Sequence, residues 1–109
     1  MGLSKSQIFT EEQNQLANLA KVLGNPARIA ILQYLFKINA CVCGDIVEEI
    51  GLAQPTISQH LKELKNIGLI KGTIEGTSVC YCINKVNWIK TKDLLNEFLN
   101  LDISQSNCC

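Results

Sequence analysis

Six cysteines in a chain of 109 residues fall in three close pairs: Cys41 and Cys43, Cys80 and Cys82, Cys108 and Cys109. Thiolates are nucleophiles, redox groups and ligands for soft ions, so each pair could chelate, bond reversibly or simply fill space as a small apolar side chain. A structural zinc site wants four Cys or His ligands, commonly in Cys-x-x-Cys units. This chain has no such unit and one histidine, His60, which excludes a zinc finger. The same absence removes the dithiol oxidoreductase signature, and no base partner for a catalytic thiol accompanies His60. No enzyme activity is therefore expected, and a small thiol enzyme or metalloid carrier is the weakest reading.

Spacing separates the three pairs. Cys41 and Cys43 precede a short helix, whose N-terminal dipole favours the thiolate while Asp45, Glu48 and Glu49 oppose it. In a helix, positions i and i+2 would point about 200° apart. Joint ligation therefore requires the Cys-Val-Cys turn to be extended or unwound. Cys80 and Cys82 lie in a strand, where i and i+2 share a face; with Val79, Tyr81 and Ile83 turned inward, the pair is expected on the outer face. A ligand role, a redox role and simple packing stay equally open for it. Cys108 and Cys109 end a polar Ser-Gln-Ser-Asn tail, read either as a dispensable terminus or as the source of a further sulfur, from the same or another protomer.

The elements that must position these groups are legible from capping and periodicity. Thr10-Glu11-Glu12-Gln13 has the form of a capping box, followed by Leu16, Leu19, Ala20 and Leu23 at helical spacing until Gly24. Asn25-Pro26 starts a second helix through Ile29, Leu32, Leu35 and Phe36 to about Lys37. Gly44 to Ile50 forms a third, with Ile46, Val47 and Ile50 inward, closed by Gly51. Pro55 opens a fourth whose core stripe is Ile57, Leu61 and Leu64, ended by Gly68. Two helices joined by a tight Gly-containing turn make a helix-turn-helix. Leu69 to Ile74 and Val79 to Ile83, joined by Glu75-Gly76-Thr77-Ser78, read as a hairpin directly after it, which is a wing. The last helix, from about Asn87 to Leu101, carries a stripe of Trp88, Ile89, Leu94, Leu95, Phe98, Leu99 and Leu101, wider than one face normally buries. Part of it is expected to bury against a second chain.

With Ile57, Leu61 and Leu64 inward, Pro55, Gln59, Lys62 and Asn66 face outward, flanked by Thr56 and Ser58 and preceded by Gln54. Short polar side chains at a helix N-terminus are the types that read base edges and phosphates. His60 lies beside the core stripe and is expected to be a hydrogen-bonded structural histidine. Ten basic and ten acidic residues give zero formal charge, which argues against a broadly basic nucleic-acid binder. Residues 54–72 nonetheless hold Lys62, Lys65 and Lys71 against Glu63, a surplus of two that the rest of the chain offsets.

The apolar fraction of 47% suits one folded domain, and no apolar run is long enough to span a bilayer. Met1 to Ser6 is polar and no secretory signal opens the chain, so a cytoplasmic protein is expected. The expected organisation is an N-terminal arm over residues 1–9, a DNA-binding domain over 10–101 and a flexible Cys-ended tail over 102–109. The fold class is mainly α with a small β-hairpin.

Leu23-Gly24-Asn25-Pro26-Ala27-Arg28 resembles the "L-x-x-P-x-R" opening of the ArsR/SmtB-type winged-helix repressors. Leu52-Ala53-Gln54-Pro55-Thr56-Ile57-Ser58-Gln59-His60-Leu61-Lys62-Glu63-Leu64 is similar to their recognition segment. Cys41-Val42-Cys43 resembles the Cys-Val-Cys of the arsenical-resistance repressors. The likeness covers roughly Thr10 to Leu101. It implies a winged helix-turn-helix, dimeric through its first and last helices. Such a homodimer occupies palindromic double-stranded operator DNA and leaves it on inducer binding. The implied DNA contacts are Gln54, Pro55, Thr56, Ser58, Gln59 and Lys62. The implied inducer is trivalent arsenic or antimony held by thiolates, with no permanent cofactor, and the ligands are Cys41 and Cys43. Where some arsenical repressors place another cysteine three residues after the second, this chain has Ile46, which leaves Cys108 or Cys109 as candidate third ligand. The alternative within the same fold is a repressor sensing oxidants or persulfide through a reversible disulfide.

Overall fold

Capping and apolar spacing set the helices of the computed structural model, which describes residues 5–104. The elements are α1 (Lys5–Ile8), α2 (Glu11–Leu23), α3 (Pro26–Ile38), α4 (Ile46–Ile50), α5 (Gln54–Asn66), β1 (Ile70–Glu75), β2 (Ser78–Ile83) and α6 (Lys85–Leu99). The Thr10 box forms: Gln13 N–H donates to Thr10 Oγ1 at 3.0 Å and Thr10 N–H donates to Gln13 Oε1 at 2.9 Å. Asn25 Oδ1 accepts from Ala27 N–H at 2.9 Å to start α3. The single turn α1 precedes them, within the expected N-terminal arm.

The core is built where the expected stripes meet. Leu19 and Val22 of α2, Ile31, Leu32 and Leu35 of α3, Ile46 of α4, and Ile57, Leu61 and Leu64 of α5 are buried together with Leu69, Ile70 and Ile83 of the wing base. Truncating a fully enclosed member such as Leu64 costs about 2–5 kcal/mol, the lost transfer energy plus a cavity. Ile29 and Phe36, expected in the α3 stripe, stay 37% and 44% exposed, and Ile31 takes the inward position instead. Phe36 packs edge-on against Trp88 of α6, ring centroids 4.6 Å apart.

The wing is a two-stranded antiparallel sheet closed by Glu75 opposite Ser78. Gly76, at φ +63°, takes the first central position of this two-residue turn, where the primed hairpin turns need a positive φ. The third helix is shorter than expected, beginning at Ile46 rather than Gly44. Before it, Gly44 at φ +95° and the helical Asp45 turn the chain, and ahead of that turn Val42 forms a bridge to Tyr81 on the free edge of β2. Helix α6 has no buried residue, and Val86, Ile89, Phe98 and Leu99 on it are more than half exposed. No helix among the described residues is long and apolar enough to cross a membrane.

Candidate nucleic-acid interface and thiol site

Helix α5 presents the polar face expected of it. Ile57, Leu61 and Leu64 are buried, and Gln54, Pro55, Thr56, Ser58, Gln59 and Lys62 are all exposed. Two side chains are held along the helix: Gln54 Nε2 donates to Ser58 Oγ and Gln59 Nε2 to Glu63 Oε1, both at 3.1 Å. The helix has no side-chain N-cap, since Ala53 stands there, so its first N–H groups are open to an anion such as a backbone phosphate. His60 is half-buried and structural: Arg28 Nε donates to its Nδ1 at 3.1 Å, while Arg28 Nη1 donates to the Val22 carbonyl at 3.3 Å. One arginine thus joins the end of α2, the start of α3 and the middle of α5.

The thiols meet in a way their sequence separation conceals. Val42 N–H donates to the Tyr81 carbonyl at 2.8 Å and Tyr81 N–H returns the bond to Val42 at 2.9 Å. Continuing that antiparallel register sets Cys41 opposite Cys82 and Cys43 opposite Cys80. Both are non-hydrogen-bonded pairs, the kind that brings opposed side chains closest. Cys43 and Cys80 are joined as a disulfide, Cα atoms 4.2 Å apart across 37 residues of sequence. Cys41 and Cys82 are free thiols.

Strand alternation adds Lys71, Thr73 and Glu75 of β1 to the same face, because Lys71 pairs with Cys82 and Thr73 with Cys80. Glu75 Oε2 lies 3.8 Å from the Cys43 sulfur and 3.6 Å from that of Cys80. These three are the one group of at least three His, Cys, Asp or Glu among the described residues whose donor atoms lie within 4.8 Å of one another. Cys41 and Cys82 line a groove of about 580 Å³ shared with Phe36, Lys71, Glu75 and Lys85. Burial pushes the Cys82 thiol pKa up, the hydrogen bond and charge of Cys41 push it further, and Lys71 and Lys85 offset part of the rise.

Cys80 is therefore not on an outer face. It is fully buried, because β2 is flanked by β1 on one edge and by the Cys-Val-Cys segment on the other, while Val79 is exposed. The requirement that Cys41 to Cys43 be extended is met. The proposed dipole effect on them has little basis in a helix of five residues that starts three positions later. Cys108 and Cys109 lie outside the described residues. Sequence reasoning missed the pairing of the two Cys-x-Cys units, and the only available signal was their matching spacing.

A family model described as "Bacterial regulatory protein, arsR family" matches residues 25–71. The arsenical resistance operon repressor of Staphylococcus xylosus is 34% identical over 89 residues, covering 82% of this chain and 79% of that protein. The chain belongs to the arsR family. An uncharacterised HTH-type transcriptional regulator of Methanocaldococcus jannaschii is 40% identical over 74 residues, 67% of this chain and 82% of that one. The fold of this ArsR-family regulator is shared with an ArsR-family transcriptional regulator of known structure, at TM-score 0.71 and 21% identity over 90% of this chain and all of that one. It is also shared with a homodimeric winged helix-turn-helix DNA-binding domain of Mycobacterium bovis, at TM-score 0.66 and 24% identity over 100% and 98% of the two chains.

Family membership makes this protein a DNA-binding transcriptional repressor with a winged helix-turn-helix, and not an enzyme. The matched span takes in α3 to α5 and the Cys41–Cys43 segment. It stops at Lys71, so Cys80 and Cys82 lie beyond it.

Proposed function

We propose that this ArsR-family repressor acts as a homodimer on palindromic operator DNA and releases it when trivalent arsenic or antimony is bound by Cys41 and Cys43. The observation that carries this reading is the extended Cys41-Val42-Cys43 segment, which turns both thiols to one face immediately before α4. Ile46 of α4 shares a core with Ile57 and Leu61 of α5, so drawing the sulfurs together shifts the start of α4 and, through it, the exposed face of α5. Gln54, Pro55, Thr56, Ser58, Gln59 and Lys62 are the residues proposed to meet the duplex. Coupling of this kind is typically about 1–3 kcal/mol and reciprocal, so operator DNA weakens inducer binding by the same factor.

A second copy is the occupant proposed for the apolar face of α6. Trp88, Leu94 and Leu95 of that helix pack partly against the core, but none of its residues is fully buried within the chain, and the Cα radius of gyration, 17.1 Å, exceeds the roughly 13 Å of a compact domain of this length. The M. bovis domain with the same fold is a homodimer.

The Cys43–Cys80 disulfide favours a second reading, a repressor switched by oxidation of these thiols. Gel-shift assays on the DNA upstream of the chain's own coding sequence decide between the two, with and without arsenite, under a phosphine reductant. Release by arsenite in the reduced protein supports the first reading. Release only on oxidation supports the second and overturns the first.

A further inference from the structure

We infer that the wing completes the inducer site: Cys80 of β2 is the third sulfur, joining Cys41 and Cys43 in a three-thiolate site for trivalent arsenic or antimony, and the Cys43–Cys80 disulfide is the closed form of that same site. The inference rests on the reading that the Cys-Val-Cys segment binds the inducer, and it says where the remaining ligand comes from.

Three observations carry it. The sulfurs of Cys43 and Cys80 are at bonding distance although 37 residues separate them, so in the reduced protein they are adjacent thiols. Cys41 stands on the same face two residues before Cys43. The strand rise over that interval is about 6.6 Å, a gap that two side chains leaning toward one another can close. Cys41 is also exposed, and its segment is held to β2 by a single bridge, so it can move, whereas Cys82 sits on the middle strand between two neighbours. Finally, Glu75 Oε2 lies within 4.8 Å of both sulfurs of the Cys43–Cys80 pair, placed to accept hydrogen bonds from the thiols of the open form.

The chemistry balances without an electron transfer. Arsenous acid exchanges its three hydroxyls for three thiolates: three As–O and three S–H bonds break, three As–S bonds form, and three waters leave. The disulfide consumes two of the same sulfurs, so occupancy and the S–S bond exclude one another. Opening it takes two electrons from a reductant: a phosphine reacts with one water, which supplies the oxygen of the phosphine oxide and the hydrogens of the two thiols, or a dithiol passes its two hydrogens to the pair and leaves as a disulfide. Closing it passes two hydrogens to an oxidant such as diamide, which becomes the hydrazine.

The site joins the segment leading into α4 to the wing. Ligation therefore pulls on two elements of the DNA-binding surface at once.

The test uses the full chain reduced by a phosphine and titrated with arsenite, reading thiolate-to-arsenic absorbance and bound arsenic per protomer after gel filtration. Cys80→Ser and Cys80→Ala are compared with Cys82→Ser and with the double variant Cys108→Ser/Cys109→Ser. Circular dichroism and arsenite-free operator binding serve as folding controls. The expected result is a loss of about 100-fold or more in arsenite affinity for both Cys80 variants, as one tethered ligand is removed from a chelate, with Cys82→Ser and the tail variant close to the parent. Diamide-oxidised protein is expected to take up no arsenite. Parent-like binding by the folded Cys80 variants, loss of binding in the tail variant, or undiminished binding by oxidised protein would each overturn the inference. Gel shifts on the same samples keep the two proposals apart. Cys80-dependent arsenic binding without operator release overturns the repressor-release reading and leaves the ligand set standing. Normal arsenite release from operator in the Cys80 variants does the reverse.

Discussion

Arg28 and His60, 32 residues apart, are joined by a 3.1 Å hydrogen bond from the guanidinium Nε to the imidazole Nδ1. Through it the start of α3 is locked to α5, the helix that carries the residues proposed to face DNA. Arg28→Ala removes that bond and the one to the Val22 carbonyl. A loss of about 1–3 kcal/mol is expected, because hydrogen bonds from a charged donor exceed neutral ones. Urea unfolding at one fixed protein concentration checks it. His60→Ala is expected to lower operator affinity through a displaced α5, whereas no effect on stability or operator binding would remove the structural role assigned to the pair.

The outward face of α5 makes a separable prediction. Gln59→Ala is expected to weaken specific operator binding by about 1–3 kcal/mol, the range for one good base contact. Lys62→Ala is expected to weaken all duplexes alike and to reduce the slope of log affinity against log salt by about 1. Both residues are exposed, so thermal unfolding should be unchanged. Fluorescence anisotropy at several salt concentrations tests the pair together, and parent-like affinity in both would move the contact surface elsewhere.

For the Cys82 thiol, burial is the first cause of its raised pKa and Cys41 the second. Its alkylation by iodoacetamide should run slower at pH 8 than that of an unstructured thiol peptide, with a pH midpoint above the ordinary thiol value. Cys41→Ser should lower that midpoint only in part. The folded pKa exceeds the unfolded one, so this group's contribution to stability is complete below the unfolded pKa and is lost as pH rises through the folded one. Peptide mass spectrometry after timed labelling gives the rate.

Gly68 sits at φ +84° where the chain turns from α5 into the wing, and a Cβ there would lie 2.5 Å from Asn87 Nδ2. That amide donates to the Gly68 carbonyl at 3.1 Å, tying the turn to α6. Gly68→Ala combines left-handed strain with this clash and is expected to cost about 1–3 kcal/mol. A midpoint of urea unfolding equal to that of the parent would refute it.

On α6, Ile89 and Leu99 are 60% and 71% exposed. Placing a charge in a face proposed to be covered by another copy should dissociate it. Ile89→Glu is expected to shift sedimentation from dimer to monomer and to abolish high-affinity operator binding while α2 to α5 stay folded by circular dichroism. A variant that remains dimeric would place the interface on another face.

Local chemistry decided much of this protein in advance. The Thr10 box, the Asn25-Pro26 start, the Ile57, Leu61 and Leu64 stripe and the hairpin around Gly76 all rest on interactions within a few residues. Such interactions can be read from types and spacing, and the polar face of α5 follows from them by rotation. The arsR-family motifs lie in the same stretch. Even the need for an extended Cys41–Cys43 could be argued from the angle between i and i+2. What the tertiary structure alone decided is which side chains that segment meets. A strand edge accepts any partner strand of suitable register, and nothing local to Cys43 or Cys80 specifies the other. The choice is made when burying Val42 and Ile46 against α3 and α5 lays the Cys-Val-Cys segment along β2. Burial of Cys80 and its junction with Cys43 follow from that docking, and so the six cysteines resolve into two facing pairs on one surface and a third pair at the end of the chain.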